Sequence, residues 1–448
     1  MKMSKKRKLA LFIFSLLVVV IDPLIGQNAP MQLSIEQARN IALQQNKSMQ
    51  TASMDTIIAK RSRWETISNY LPKATGSVNW SDNLELATVL LPGVMLGKPG
   101  EYIPVQFGME YQMSWAIQAQ QVIFSAPLIV GIQLSNISKD MMEKNYQKTE
   151  QDVIASVNTV YASALILSEN INIIDSNINN LAKVKEQTKA MYEVGVAQST
   201  DVDQIELTIL SLENAKRNLQ RNIDLSYSML RFQLGLDTNV VFQLTTPLSE
   251  MINEAEVQAL LNTSFDVYQN IDYQLIEKQK EIAFLNLKKE KADALPTIAA
   301  VYTYSKAGQG NDMNELKWFP TSIFGLSLSI PILAGGQNGA QISKAKLQYQ
   351  KAQVNLDMVT EQLKMQENQQ KYTLSNAYDN YIAQKKNIEL SKRIYDNIEN
   401  RYLQGVSSSL DLTQANSNYL SAQNNYLAAI LELLQAKYQL EKIYNNQK

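Results

Sequence analysis

Tyr192-Glu-Val-Gly195-Val-Ala-Gln-Ser199-Thr-Asp201 is answered later in the chain by Tyr402-Leu-Gln-Gly405-Val-Ser-Ser-Ser409-Leu-Asp411. The shared residues recur at a constant offset of 210, and Gln204, Leu210, Ser211 and Asn214 recur as Gln414, Leu420, Ser421 and Asn424. Each copy reads as a helix end, a glycine that allows positive φ, a polar turn and a new N-cap. Tyr192, Gly195, Val196, Gly405 and Val406 therefore mark the tips of two helical hairpins.

The duplication extends outward from the tips. Gln45-Asn46 and Leu71-Pro72 return as Gln269-Asn270 and Leu295-Pro296 at an offset of 224, and Pro127 and Gly131 return as Pro331 and Gly335 at an offset of 204. A length of 448 residues suggests about three domains, but two similar halves can build one body. The reading is a leader at 1–26, a first repeat at 27–236, a connector at 237–253 and a second repeat at 254–448.

Ser34-Ile-Glu-Gln37 is a capping-box pattern, opening a helix that runs to Leu71-Pro72. The period then changes from helix to strand. Thr75, Ser77, Asn79 and Ser81 alternate with Gly76, Val78 and Trp80, giving a strand at about 74–82 with one polar face. A Gly- and Pro-rich loop follows from Leu84 to Val105, then a strand over about 108–126 whose phase slips near Gln120, as a β-bulge would make it. The proline-free stretch from Gly131 to Gly195 would span roughly 95 Å as a helix, and the return from Ser199 to Leu236 roughly 55 Å. The second half repeats the order, with strands at about 297–305 and 321–330 and a helix of roughly 105 Å running to Gly405. The helices are rich in Gln, Asn, Ser and Lys, with narrow apolar stripes such as Ile154, Val157, Tyr161 and Leu165 that read as packing seams.

Composition excludes several classes of function. Lys plus Arg total 42 against 43 for Asp plus Glu, so nothing draws the whole chain to nucleic acid. The chain has no Cys and no His, which removes disulfides, thiolate metal sites and the commonest general base. Carboxylates lie scattered along helix faces without a glycine-rich phosphate loop, so no catalytic residue, metal or cofactor is implied. Lys2, Lys5, Lys6, Arg7 and Lys8 precede the apolar run Leu9 to Ile21, and cleavage near Gly26 suits a secretory leader. At 13 residues that run falls short of the roughly 20 needed for a helical span.

These parts define a mixed α and β fold, mainly α, with four strands per chain gathered at the pole far from the tips. Four strands cannot close a barrel, and their open edges would template wrong pairing. Trp80, Trp115, Tyr302 and Tyr304 sit where an interfacial aromatic girdle would, and the opposite faces are polar enough to line water. Closure must come from further copies of the chain. Three would give a twelve-stranded barrel continued by a long α-helical barrel.

The duplicated strand-proline-helix units, Pro127 and Pro331 opening the long helices, and the paired Tyr-x-x-Gly-Val tips resemble the TolC family of outer-membrane efflux proteins. The resemblance covers Ser34 to Tyr444. It implies a homotrimer whose β-barrel meets outer-membrane lipid and whose helices cross the periplasm. It also implies a passive exit duct of a tripartite efflux or type I secretion system. The tips would dock a periplasmic adaptor and, through it, an inner-membrane transporter.

The resemblance also implies a gate at the tips. Tyr402 and Asp201 occupy the positions of a tyrosine–aspartate bond that closes the best-known member, and Thr200 matches too. A basic residue of that lock is replaced by Ser407. Of two acidic rings at the constriction, Asp411 retains the first, while Gln414 stands where the second would be. Asp201 and Asp411 also suit the first turn of a helix, where carboxylates favour the dipole. Two other readings remain. A secreted coiled-coil or adhesion protein without a pore requires polar outer strand faces, and a periplasmic adaptor carries one hairpin rather than two.

Overall fold

The structure, a computed structural model, describes residues 30–97 and 100–445. The expected leader at 1–26 lies outside these residues. Strand β1, Met31–Leu33, leads to α1, Ile35–Gln45, which Ser34 and Gln37 cap reciprocally as their spacing predicts. The expected single helix to Leu71 is in fact two. Asn46 turns the chain with ψ at 134°, and its carboxamide accepts from the amides of Ser48 and Met49 to start α2, Lys47–Ser68. Such a side chain offers the backbone an alternative to continuing the helix.

Next come β2, Lys73–Asp82, then β3, Ala87–Pro92, and β4, Tyr102–Phe107. The last two form an antiparallel hairpin within the segment expected to be loop, because Val89 faces Val105 and Leu91 faces Ile103 across it. Strand β5, Tyr111–Ser125, runs directly into α3, Ala126–Glu193, where Ser125 accepts from the Leu128 amide and Pro127 occupies the first turn. Helix α4, Ser199–Leu234, returns from the first tip.

The expected connector is itself structured. It holds β6, Phe242–Leu244, paired in parallel with β1, and α5, Leu248–Met251. The buried Tyr161 hydroxyl donates to Leu33 O at 2.8 Å and accepts from the Thr246 amide, pinning that pair to α3. The second half then runs through α6, Glu254–Asn262, and α7, Ile271–Ala292. Strands β7, Thr297–Gly310, and β8, Lys317–Ser329, are longer than their alternation suggested. Helices α8, Gln337–Leu403, and α9, Ser409–Ile443, complete the second hairpin. Pro331 does not open α8 as Pro127 opens α3. The chain stays irregular until Gly335 and Gly336, both at positive φ, turn it into the helix.

The four long strands form one antiparallel sheet ordered β2-β5-β7-β8. Residues directly opposite share a face. Register therefore gathers Val78, Trp80, Trp115, Ile117, Tyr302, Tyr304, Phe324 and Leu326 on one side, and Thr75, Ser77, Asn79, Gln118 and Thr303 on the other. The bulge falls between Val122 and Phe124, slightly later than expected, and brings Phe124 beside Ile298 on the apolar face. Helices continue this order as an arc, α2 against α3, α3 against α7 and α7 against α8. Toward the tips, α4, α3, α9 and α8 follow one another instead.

The main core lies midway along the helices, where Leu33, Tyr161, Leu165, Leu230, Leu374, Ile430 and Leu434 meet. Two asparagines organise its ends. Asn46 Nδ2 donates to Gln233 O at 2.7 Å, and its repeat equivalent Asn270 donates to Ile443 O at 2.9 Å. Each thus caps the helix it starts and also satisfies a terminal carbonyl of the returning helix. A second cluster, including Leu181, Val184, Ile205, Tyr395, Tyr402 and Leu412, lies near the tips.

Candidate functional site at the hairpin tips

Both tips are built by the same backbone device. Helix α3 ends with Gly195 N donating to Tyr192 O at 2.9 Å and Val196 N to Met191 O at 2.8 Å. Helix α8 ends likewise, with Gly405 N to Tyr402 O at 2.9 Å and Val406 N to Arg401 O at 2.9 Å. These are Schellman closures. They need the left-handed residue that Gly195, at φ 77°, and Gly405, at φ 75°, supply.

The helices leaving the tips are capped by the two aspartates. Asp201 Oδ2 accepts from the Gln198 amide at 2.8 Å. Asp411 Oδ2 accepts from the Ser408 amide at 3.1 Å and from its hydroxyl at 2.8 Å. The Ser408 donors, helped by the charge of Arg401, hold the Asp411 carboxyl below the usual carboxylate range. Asp411 is exposed and stays charged at neutral pH. Gln414 is also exposed and bonds only Asn418, at 3.0 Å, while Thr200 bonds Gln198 at 3.3 Å.

Across the two hairpins the pairing differs from the expected one. The Tyr402 hydroxyl meets Thr188 Oγ1 at 2.8 Å rather than Asp201, and Asp201 Oδ1 instead receives the Ser409 hydroxyl. The tyrosine ring is drawn inward by the apolar cluster around Leu181 and Leu412, which turns its hydroxyl toward α3. Burial, with the nearby Asp201 charge, raises the Tyr402 phenol pKa, so it remains a neutral hydroxyl. Each hairpin is therefore latched to the other twice, by Thr188 with Tyr402 and by Asp201 with Ser409. Farther from the tip, Asn177 donates to Gln423 at 3.2 Å and Asn170 to Asn424 at 3.1 Å. Both amide atoms of the buried Asn416 in the same seam have no hydrogen-bond partner.

The repeat-related tyrosines are not equivalent. Tyr402 is buried, whereas Tyr192 is half exposed beside exposed Val194 and Val196. Val406 and Leu410 stand out in the same way from the second tip. Sequence reasoning missed Thr188, whose repeat equivalent is Ile398. Ser409 lay within the repeated motif but was read only as part of a turn.

The outer strand faces decide between the remaining alternatives. Val78 and Phe324 are 66% and 70% exposed on one chain, as are Leu326 and Leu328 at 66% and 59%. A secreted coiled coil in water would leave this face uncovered. No helix among the described residues is long and apolar enough to cross a membrane.

The sequence profile described as outer membrane efflux protein matches residues 38–236 and 270–446. The chain belongs to the outer membrane efflux protein family. Among its relatives, the outer membrane protein TolC of Vibrio cholerae is 21% identical over 341 residues, covering 72% of this chain and 76% of that one. The outer membrane efflux protein BepC of Brucella suis is 24% identical over 385 residues, covering 83% and 75%. The solved structure of CusC superposes with a TM-score of 0.73 at 17% identity, covering 94% of this chain and 95% of that one. This member of the family is an outer-membrane efflux channel, with its sheet in the membrane and its helices in the periplasm.

Proposed function

We propose that three copies of this chain close one twelve-stranded pore and its helical barrel. The pore acts as the passive exit duct of a tripartite efflux or type I secretion system. The observation that carries this reading is that the chain is an arc with two matching unfinished ends. Strands β2 and β8 are the two edges of the sheet. The helices in line with them also carry uncovered apolar stripes, Met54, Ile57, Ile58 and Trp64 on α2, and Leu347, Val354, Met358, Met365 and Tyr372 on α8. Joining β8 to β2 of the next copy satisfies both edges and brings the two stripes together.

The exposed apolar tips, Tyr192, Val194, Val196, Val406 and Leu410, suit contact with a periplasmic adaptor, which would link the duct to an inner-membrane transporter. No enzymatic chemistry is assigned to the chain. The two latches hold the hairpins together at rest. A seam with polar pairs and an unsatisfied amide separates at lower cost than a fully apolar one. Three copies of Asp411 around the mouth would favour cations over anions.

Single-channel recording in planar bilayers tests the tip. Asp201→Ala, which releases Ser409, is expected to raise conductance several-fold, and Asp411→Ala to reduce cation preference without widening the pore. Conductance and selectivity unchanged in both variants would confine the aspartates to capping helices.

A further inference from the structure

Strand register sorts the apolar face of the sheet into rows. Trp80, Met113, Gly308 and Trp318 stand side by side in one row, and Phe124, Ile298 and Leu328 in another. Trp318 and Leu328 are ten residues apart on β8, roughly 33 Å along a strand. A strand tilt of about 35–45° reduces that to roughly 23–27 Å of height, which matches the apolar band of an outer-membrane barrel. The long helix α3 leaves the sheet at the Phe124 end, so the row of Trp80 and Trp318 lies at the outer-leaflet interface, where tryptophan is favoured.

One row deeper, Lys306 stands between Trp115 and Pro320. Among the described residues of the sheet it is the only lysine or arginine on this face, since Lys73 and Lys317 belong to the polar side. Its half-buried side chain has no ion-pair partner among the described residues. Asp82, the one carboxylate on the face, belongs to the row of Tyr111 and Gly310, two rows farther out. A charge within the apolar band is costly, but a row spacing of roughly 7 Å lets a lysine stem reach up to the interface.

A glycine places the indole above it. A Cβ on Gly308 would lie 2.9 Å from Cδ2 and Cε2 of Trp318, so the ring fills the space over the β7 backbone and lies against it. Trp318 is nevertheless 40% exposed. An aromatic surface is thus laid next to an unpaired ammonium, at the height of the lipid headgroups.

The geometry points to a binding site for the phosphate-bearing headgroup of an anionic lipid in the outer leaflet. Lys306 pairs with the phosphate, and Trp318 carries the apolar side of the headgroup. The occupant is a lipid because the site opens on the membrane-facing side of the sheet, at headgroup level, with a positive charge to satisfy. Every residue of the site belongs to one chain, on the adjacent strands β5, β7 and β8, so it does not depend on how copies meet.

Native mass spectrometry of full-length protein in detergent, titrated with phosphatidylglycerol or with zwitterionic phosphatidylcholine, counts the lipid bound per chain. The parent is expected to bind phosphatidylglycerol about fivefold more tightly, the effect of one lysine near a membrane surface. Lys306→Met, suited to a lipid-facing position, is expected to abolish that preference and Lys306→Arg to keep it. Lys317→Met, on the opposite face, is expected to leave it unchanged. Gly308→Ala, which displaces the indole and keeps the lysine, is expected to weaken phosphatidylglycerol binding. No preference in the parent, an undiminished preference in Lys306→Met, or an equal loss in Lys317→Met would overturn the site. Unchanged binding in Gly308→Ala would overturn the part assigned to Trp318. Displacement of the lipid by millimolar inorganic phosphate would overturn the lipid assignment, by making the ligand a free anion. Binding is counted per chain, so each outcome is read whatever the number of chains in the assembly.

Discussion

Replacing Gly235 with valine is expected to prevent the chain from reaching its folded state at ordinary growth temperature. Gly235 ends α4 at φ 70°, and a Cβ there would lie 2.1 Å from Gln45 O and 2.6 Å from its carbonyl carbon. The obstruction is backbone, at the turn that Asn46 builds between α1 and α2, so no side-chain rotation relieves it. Left-handed strain of about 1–3 kcal/mol adds to overpacking of about 1–3 kcal/mol, a large part of a typical domain's stability. Gly405→Val provides the comparison. It has the same strain, at φ 75°, but nothing within 4 Å of the added carbon. Yield of folded protein and thermal unfolding followed by circular dichroism should separate the two, with Gly405→Val folding and only its tip disturbed. Equal behaviour would remove the close approach from the account.

Asn270→Ala is expected to destabilise the chain by about 2–4 kcal/mol. The loss combines a helix cap, about 1 kcal/mol, with a buried carbonyl left without its donor, about 1–3 kcal/mol. The cap serves the amides of Asp272 and Tyr273, and the orphaned carbonyl is that of Ile443 near the end of α9. Asn270→Ser keeps a side-chain acceptor suited to the cap and loses the donor that reaches Ile443, so it should fall between alanine and the parent in thermal unfolding. If alanine and serine were equally disruptive, the capping contribution would be negligible.

Much of this was legible in the chain because duplication supplies its own check. The alternation through Trp80 and Trp115 fixed which strand face is apolar, and the paired glycines fixed the hairpin tips. The Gln-Asn repeat was visible too, but its purpose was not. Asn46 and Asn270 act on carbonyls 187 and 173 residues away, a separation that no local pattern encodes. The hairpin of β3 and β4 was hidden by its glycines and prolines, because its strands support each other only once paired.

At the tips, local pattern and tertiary packing diverge. Glycine, the following valine and the capping aspartate obey backbone rules that repeat wherever the sequence repeats. Tyr192 and Tyr402 obey their surroundings. Only Tyr402 finds Leu181, Val184 and Leu412 around it, and with them Thr188 as partner instead of Asp201. The same asymmetry separates Pro127, inside the first turn of α3, from Pro331, which leads into an exposed loop.

The central claim is that one chain is an unfinished arc and that three make the pore. Native mass spectrometry of the full-length protein in detergent tests it most directly, by counting the chains in the folded assembly. The account predicts three identical chains as the dominant species. A folded single chain, with the β2 and β8 edges left open, would contradict it.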